Sequence, residues 1–167
     1  ALPIYDITIA SFGLPTRLYK NVQGSFQLWN SFPNSGDSKS CVWVDIENDG
    51  DNDLIVSRFG SGMQIFLNQG GYAFIESPSF LQYAQNIPIA NWGISLNDID
   101  RDSYLDLAVA NFSMTTPNAV FMNANGNSLQ QISIPAMEGI SRLSFQSAFA
   151  DIDSDLYPEL FFCNDHE

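Results

Sequence analysis

Three acidic stretches carry the residues best able to do chemistry in this chain. Asp45-Ile46-Glu47-Asn48-Asp49-Gly50-Asp51-Asn52-Asp53 recurs as Asp98-Ile99-Asp100-Arg101-Asp102-Ser103-Tyr104-Leu105-Asp106. It recurs again as Asp151-Ile152-Asp153-Ser154-Asp155-Leu156-Tyr157-Pro158-Glu159, at a constant spacing of 53 residues. Carboxylates fill positions 1, 3, 5 and 9 of every copy. Four like charges within so short a segment repel one another unless something neutralises them. A hard cation does so, and Ca2+ takes about 6–8 oxygen ligands in a flexible shell. Alternate residues of a tight loop point inward together. Positions 1, 3 and 5 (Asp45, Glu47, Asp49; Asp98, Asp100, Asp102; Asp151, Asp153, Asp155) therefore share one ion. A carbonyl at position 7 (Asp51, Tyr104, Tyr157) adds a ligand, and position 9 (Asp53, Asp106, Glu159) closes the site. No Cys or His lies in the loops, which argues against zinc and copper. The expected cofactor is Ca2+, up to three ions. The bland alternative is a solvated acidic turn.

An EF-hand begins in the same way but needs a bidentate Glu at position 12. Here position 12 is Val56, Val109 or Phe162, inside the apolar runs Asp53-Leu54-Ile55-Val56-Ser57, Asp106-Leu107-Ala108-Val109-Ala110 and Glu159-Leu160-Phe161-Phe162-Cys163. Such β-branched and aromatic runs read as buried strands. The residues before the loops alternate as well: Val42-Trp43-Val44, Ser95-Leu96-Asn97 and Ala148-Phe149-Ala150. The motif is strand, acidic loop, strand: a metal-pinned hairpin.

The segment Asp6-Ile7-Thr8-Ile9-Ala10-Ser11-Phe12-Gly13 matches Asp53 to Gly60 and Asp106 to Ser113, so the chain opens at position 9 of a further unit. Asp6 lacks a neighbouring ligand set and is not a metal site. Apolar runs ending at Asn21, Asn68 and Asn123 each lead into a Gly-containing turn and another strand. Asn and Gly supply the positive φ that tight hairpins need. One unit is thus four strands over about 50 residues, the period of a propeller blade. The expected fold is all-β: four-stranded antiparallel blades of β-propeller type, about three in number, a partial ring or a segment of a larger propeller. The approximate units are 1–39, 40–92, 93–145 and 146–167, the first and last incomplete. Trp43, Leu96 and Phe149 share one register and fill the space between blades; Val42, Ser95 and Ala148 are smaller, as a crowded axis requires. Pro-bearing connections from Ser31 to Lys39, Ser77 to Pro88 and Pro135 to Ser144 are surface loops, with one helical turn allowed at Tyr83-Ala84-Gln85.

Composition narrows the function. The 167 residues carry a formal charge of −13, with 19 acidic and six basic side chains. Thirteen of the acidic residues lie in the three loops, so the acidity is local. Six cations cannot build a basic patch, and nucleic-acid binding is not expected. No apolar run reaches the roughly 18 residues of a membrane span. A chain that opens at Ala1 reads as a processed or excised segment. Cys41 and Cys163 read as buried free thiols. Asn111-Phe112-Ser113 fits the glycosylation sequon but follows a predicted strand.

The three acidic loops and the turns Asn21-Val22-Gln23-Gly24, Asn68-Gln69-Gly70-Gly71 and Asn123-Ala124-Asn125-Gly126 resemble the FG-GAP/VCBS-type repeat, the calcium-loop blade of integrin alpha-subunit propellers and many secreted repeat proteins. The resemblance covers nearly the whole chain. It implies an extracellular, secreted or cell-surface module with structural calcium, a protein or glycan ligand, and further blades from the same parent chain or from other subunits. The second and third loops depart from the family at position 6, where Ser103 and Leu156 replace Gly; Glu159 replaces the usual Asp at position 9. On that basis calcium affinity is ranked first loop over second over third. The leading function is a non-enzymatic interaction and adhesion module. A structural subunit of a surface filament and a part of a secreted carbohydrate-active enzyme are the alternatives. Against catalysis, the one His is His166 at the end of the chain, and the period-two spacing of the carboxylates fits metal ligation better than a glycosidase pair.

Overall fold

A computed structural model describes residues 5–33, 37–71, 73–82, 90–137 and 140–165. Among these residues the chain forms thirteen antiparallel strands: β1 (Ile7–Ile9), β2 (Arg17–Val22), β3 (Ser25–Ser31), β4 (Ser38–Val44), β5 (Asp53–Arg58), β6 (Gly62–Asn68), β7 (Phe74–Glu76), β8 (Asn91–Asn97), β9 (Asp106–Asn111), β10 (Ala119–Asn123), β11 (Leu129–Ile132), β12 (Ser144–Ala150) and β13 (Glu159–Asn164). They form four sheets in chain order: β1-β2-β3, β4-β5-β6-β7, β8-β9-β10-β11 and β12-β13. This is an all-β chain of propeller blades in series, two of them complete among the described residues. The boundaries expected at 39/40, 92/93 and 145/146 fall two residues inside β4, β8 and β12. The helical turn expected at Tyr83-Ala84-Gln85 lies outside the described residues, as does Pro88. Short 3-10 turns stand at Pro78–Leu81 and Pro135–Met137, where proline's preset φ suits the first position.

The β5 sequence Asp-Leu-Ile-Val-Ser-Arg explains why the blades must stack. Successive side chains of a strand point to opposite faces. Leu54 and Val56 join Leu18, Phe32 and Phe66 in a core shared with the first sheet, with Trp43 and Phe74 against it. Ile55, between them, faces the other way, into a core with Ile94, Leu107, Val109 and Phe121 of the third sheet. Both faces of a central strand are thus buried, which one four-stranded sheet cannot achieve alone. The same logic leaves the end sheets less covered: Leu28, Trp29, Ile152 and Phe161 are exposed. Cys163 stands on β13 in the two-stranded end sheet and is exposed, and Cys41 is half-buried; both are free. The expectation of two buried thiols is corrected to that extent, because among the described residues β13 pairs with β12 alone.

Asn111 of the sequon is fully buried, and its Nδ2 donates to the Pro117 carbonyl at 2.6 Å. The folded chain has no room for a glycan on it.

Candidate metal centre

Each acidic loop joins the first and second strand of a blade, and all three adopt one backbone path. Positions 4 and 6 are left-handed in every copy: Asn48 and Gly50 (φ 56° and 94°), Arg101 and Ser103 (65° and 76°), Ser154 and Leu156 (64° and 72°). Gly50 takes this conformation without cost. Leu156 takes it against a steric penalty of about 1–2 kcal/mol, which the surrounding hydrogen bonds must offset.

Those bonds come from the carboxylates themselves. The position 1 carboxylate reaches across the turn. Asp45 accepts the N–H groups of Asp49 and Gly50 at 3.0 and 2.9 Å, and Asp98 those of Asp102 and Ser103 at 3.1 and 3.0 Å. Asp151 accepts from Leu156 at 3.0 Å. The position 5 carboxylates of Asp49, Asp102 and Asp155 each accept the N–H two residues on, from Asp51, Tyr104 and Tyr157 at 2.9, 2.8 and 2.7 Å. At position 9, Asp53 accepts from Ile46 and Asn68 at 3.0 and 2.8 Å, and Asp106 from Ile99 and Asn123 at 2.7 and 2.8 Å. Glu159 accepts from Ile152 at 2.9 Å. Asp6 keeps the corresponding bond, from the Asn21 N–H at 2.8 Å. These are bonds a carboxylate makes whether or not an ion is present, and they aim its free lone pairs.

The free oxygens converge in two of the three loops. One carboxylate oxygen each from Asp98, Asp100 and Asp106 lies within 4.8 Å of the others, and the same holds for Asp151, Asp153 and Glu159. These sets are positions 1, 3 and 9; Asp102 and Asp155 at position 5 stand outside them. Among the described residues the first loop forms no such trio. Its position 3 is Glu47, one methylene longer, and the Glu47 carboxyl shares a hydrogen bond with Asp49. Burial, with the like charges of Asp53, Asp49 and Asp45 behind it, holds Glu47 above the usual carboxylate range. Burial also raises Asp53 and Asp106; their backbone N–H bonds pull the other way, and the neighbouring Asp49 and Asp45, or Asp100 and Asp102, push up again. Three oxygens with no basic side chain among them, in a turn rich in carbonyls, is a donor set that fits a hard divalent cation.

The loops are tied to one another and to the next blade. Asn123 Nδ2 donates to the Ile46 carbonyl at 2.8 Å. A Cβ built on Gly126 would meet the Glu47 Cα at 2.9 Å, so only glycine lets this turn lie against the first loop. Ile46 is therefore 0% exposed, whereas Ile152, its counterpart in the third loop, is 68% exposed.

At the far end of the strands lies a feature that the spacing of Phe12, Phe59 and Phe112 alone did not reveal. Trp92 packs on Phe59, Phe112 and Phe145, with ring centroids 5.9, 4.7 and 5.6 Å away. The Lys39 ammonium stands 4.1 Å from the Phe12 ring and 4.6 Å from Trp92. No helix among the described residues is long and apolar enough to cross a membrane.

A family model described as "FG-GAP-like repeat" matches residues 45–109 and again 98–162. Each match runs from position 1 of one acidic loop to position 12 of the next. The chain is also similar to integrin alpha-3 of Mus musculus and of Cricetulus griseus, at 28% identity over 138 residues in each case. These alignments cover 70% of this chain and 13% of the relative, so the chain corresponds to a small part of those proteins.

Proposed function

The chain belongs to the FG-GAP-like repeat family, and from that premise we propose that it is a calcium-stabilised, non-enzymatic blade segment of an extracellular, adhesion-type protein whose ligand is a protein or glycan. The observation that carries this reading is the convergence of Asp98, Asp100 and Asp106, each already oriented by backbone N–H groups. A bound divalent cation supplies the positive charge that lets these carboxylates stand together. Asp98 and Asp106 hold the turn to itself and to β10, Asp100 aligns on the Asp102 N–H, and the Tyr104 carbonyl completes the oxygen set. Asp151, Asp153, Glu159 and the Tyr157 carbonyl play the same parts in a more exposed third loop. In the first loop, Asp45, Asp49, Asp53 and the Asp51 carbonyl do so once Glu47 turns inward from Asp49. The second loop, the most nearly assembled, is proposed as the leading site.

The aromatic row around Trp92 lies at the opposite end of the strands from the acidic loops. Aromatic side chains dominate protein interfaces by area and rigidity, and this row is the proposed contact for the ligand. The exposed apolar residues of the end sheets suit a further blade packed on each.

Thermal unfolding of the chain in millimolar calcium and in chelator tests the cation reading. An ion bound only by the folded loop contributes roughly 0.5–1.5 kcal/mol per site at the affinities of extracellular modules. The melting temperature rises with calcium, and Asp98→Asn removes the larger share of the rise. Equal melting temperatures in the two conditions would sink the proposal.

A further inference from the structure

Positions 4 and 6 of neighbouring loops are joined across each blade boundary by the same contact. Asn48 Nδ2, at position 4 of the first loop, donates to the carbonyl of Ser103, at position 6 of the second, at 2.8 Å. The Arg101 guanidinium, at position 4 of the second loop, donates to the carbonyl of Leu156, at position 6 of the third. Arg101 also stacks on the next residue, its Cζ 3.8 Å from the Tyr157 ring centroid. Position 4 is left-handed in both loops, with φ 56° at Asn48 and 65° at Arg101.

The peptide so gripped also holds a candidate ligand. The Ser103 carbonyl and the Tyr104 N–H belong to one peptide plane, and that N–H donates to the position 5 carboxylate of Asp102 at 2.8 Å. The Leu156 carbonyl and the Tyr157 N–H belong to another, and that N–H donates to Asp155 at 2.7 Å. A side chain of one loop therefore fixes the plane that aims a carboxylate of the next. That same plane leads directly into the position 7 residue, whose carbonyl is the backbone ligand. In the first loop the Asp51 N–H makes the same bond to Asp49 at 2.9 Å with no side chain among the described residues donating to the Gly50 carbonyl, and there glycine takes the left-handed φ without strain.

We propose that the position 4 side chain of each loop is a positioning residue for the cation site of the following loop: Asn48 for the second, Arg101 for the third. The inference rests on the reading of these loops as cation sites. Asn48 is neutral, so its effect is geometric. Arg101 brings a positive charge toward an acidic site, which by itself weakens cation binding; the hydrogen bond and the stack on Tyr157 act in the opposite sense and hold Leu156 in its left-handed conformation. Asn at position 4 spans the same gap in the preceding pair of loops, so a donor without the charge is available at Arg101 as well.

The experiment is calorimetric titration of the whole chain with Ca2+. Asp98→Asn and Asp151→Asn assign the binding events of the second and third loops. Partners that orient metal ligands typically cost 10–100-fold in affinity when removed. At the low end of that range, Asn48→Ala weakens the second-loop event about tenfold and leaves the third unchanged; Arg101→Ala does the reverse. Arg101→Asn stays within about twofold of wild type, because the donor is kept. Both residues are exposed, and far-UV circular dichroism verifies that the variants fold. If wild type takes up no calcium, the cation reading itself fails and this inference with it. If wild type binds but Asn48→Ala leaves the second loop unaffected, or Arg101→Ala and Arg101→Asn both tighten the third, the cation sites stand and the positioning role is overturned.

Discussion

Asp106 accepts the backbone N–H of Asn123 at 2.8 Å, and the same bond joins Asp53 to Asn68 and Asp6 to Asn21, each at 2.8 Å. It fastens the loop end of one strand to the end of the third strand in the same blade, and it recurs in the first sheet, where Asp6 is the one template carboxylate among the described residues. It is therefore a fastening of the blade itself. Asp106→Ala removes two charge-assisted backbone bonds of about 1.5–3 kcal/mol each, offset in part by relief of repulsion from Asp100 and Asp102. A net loss of about 2–3 kcal/mol is expected in denaturant unfolding with chelator present. An unchanged unfolding midpoint would leave this bond without structural weight.

Leu156 holds φ at 72° with its side chain 73% exposed. It carries the steric cost of a left-handed residue and has little packing to lose. Leu156→Gly is expected to raise stability by about 0.5–1 kcal/mol, the left-handed penalty less the extra chain entropy of glycine. Chemical denaturation measures it, and a lower midpoint would mean that the leucine makes an apolar contact worth more than its strain.

Ser38, Asn91 and Ser144 open the first strand of successive blades and are all buried. Ser38 accepts from Thr16 at 2.9 Å, and Ser144 from Asn118 at 2.9 Å while donating to Asn164 at 2.6 Å. The strand register puts Met63 where Thr16 and Asn118 stand in their blades. Methionine cannot donate, and neither polar atom of the Asn91 side chain has a partner. Burying such an amide costs about 1–3 kcal/mol. Asn91→Leu, which keeps the branched outline of the side chain and removes both unpaired polar atoms, is expected to be neutral or stabilising, whereas Ser144→Ala loses about 1–2 kcal/mol. Paired thermal unfolding of the two variants decides it; a marked loss in Asn91→Leu would place a structural water on the amide.

Burial holds Asp53, Asp106 and Glu47 above the usual carboxylate range. A group with a raised folded pKa binds more protons when folded. Its contribution is full below the unfolded value, about 3.9 for Asp, and is lost as the pH rises through the folded value. In chelator, the part of the stability contributed by these groups therefore falls as the pH climbs from about 4 through those raised values. The combined Asp53→Asn and Asp106→Asn variant flattens that part of the pH profile. A profile equally steep in the variant would move the effect to other groups.

The sequence alone determined the repeat. A 53-residue spacing of carboxylates, followed each time by Leu54-Ile55-Val56, Leu107-Ala108-Val109 or Leu160-Phe161-Phe162, specifies an acidic hairpin leading into a buried strand, because charge spacing and period-two apolarity are local properties of the chain. It also specified four-stranded antiparallel blades with the first and last units incomplete. The tertiary structure decided what depends on neighbours. Glycine at position 6 marked out the first loop, but side-chain reach and cross-blade contact decide where the oxygens meet, and Glu47 turns toward Asp49. The second and third loops tolerate Ser103 and Leu156 as left-handed residues whose carbonyls are held from the preceding loop. Asn48, Asn123 and Gly126 act on residues 55 to 79 positions away, a distance that no local pattern encodes and that only the stacking of one blade on the next brings within hydrogen-bond range.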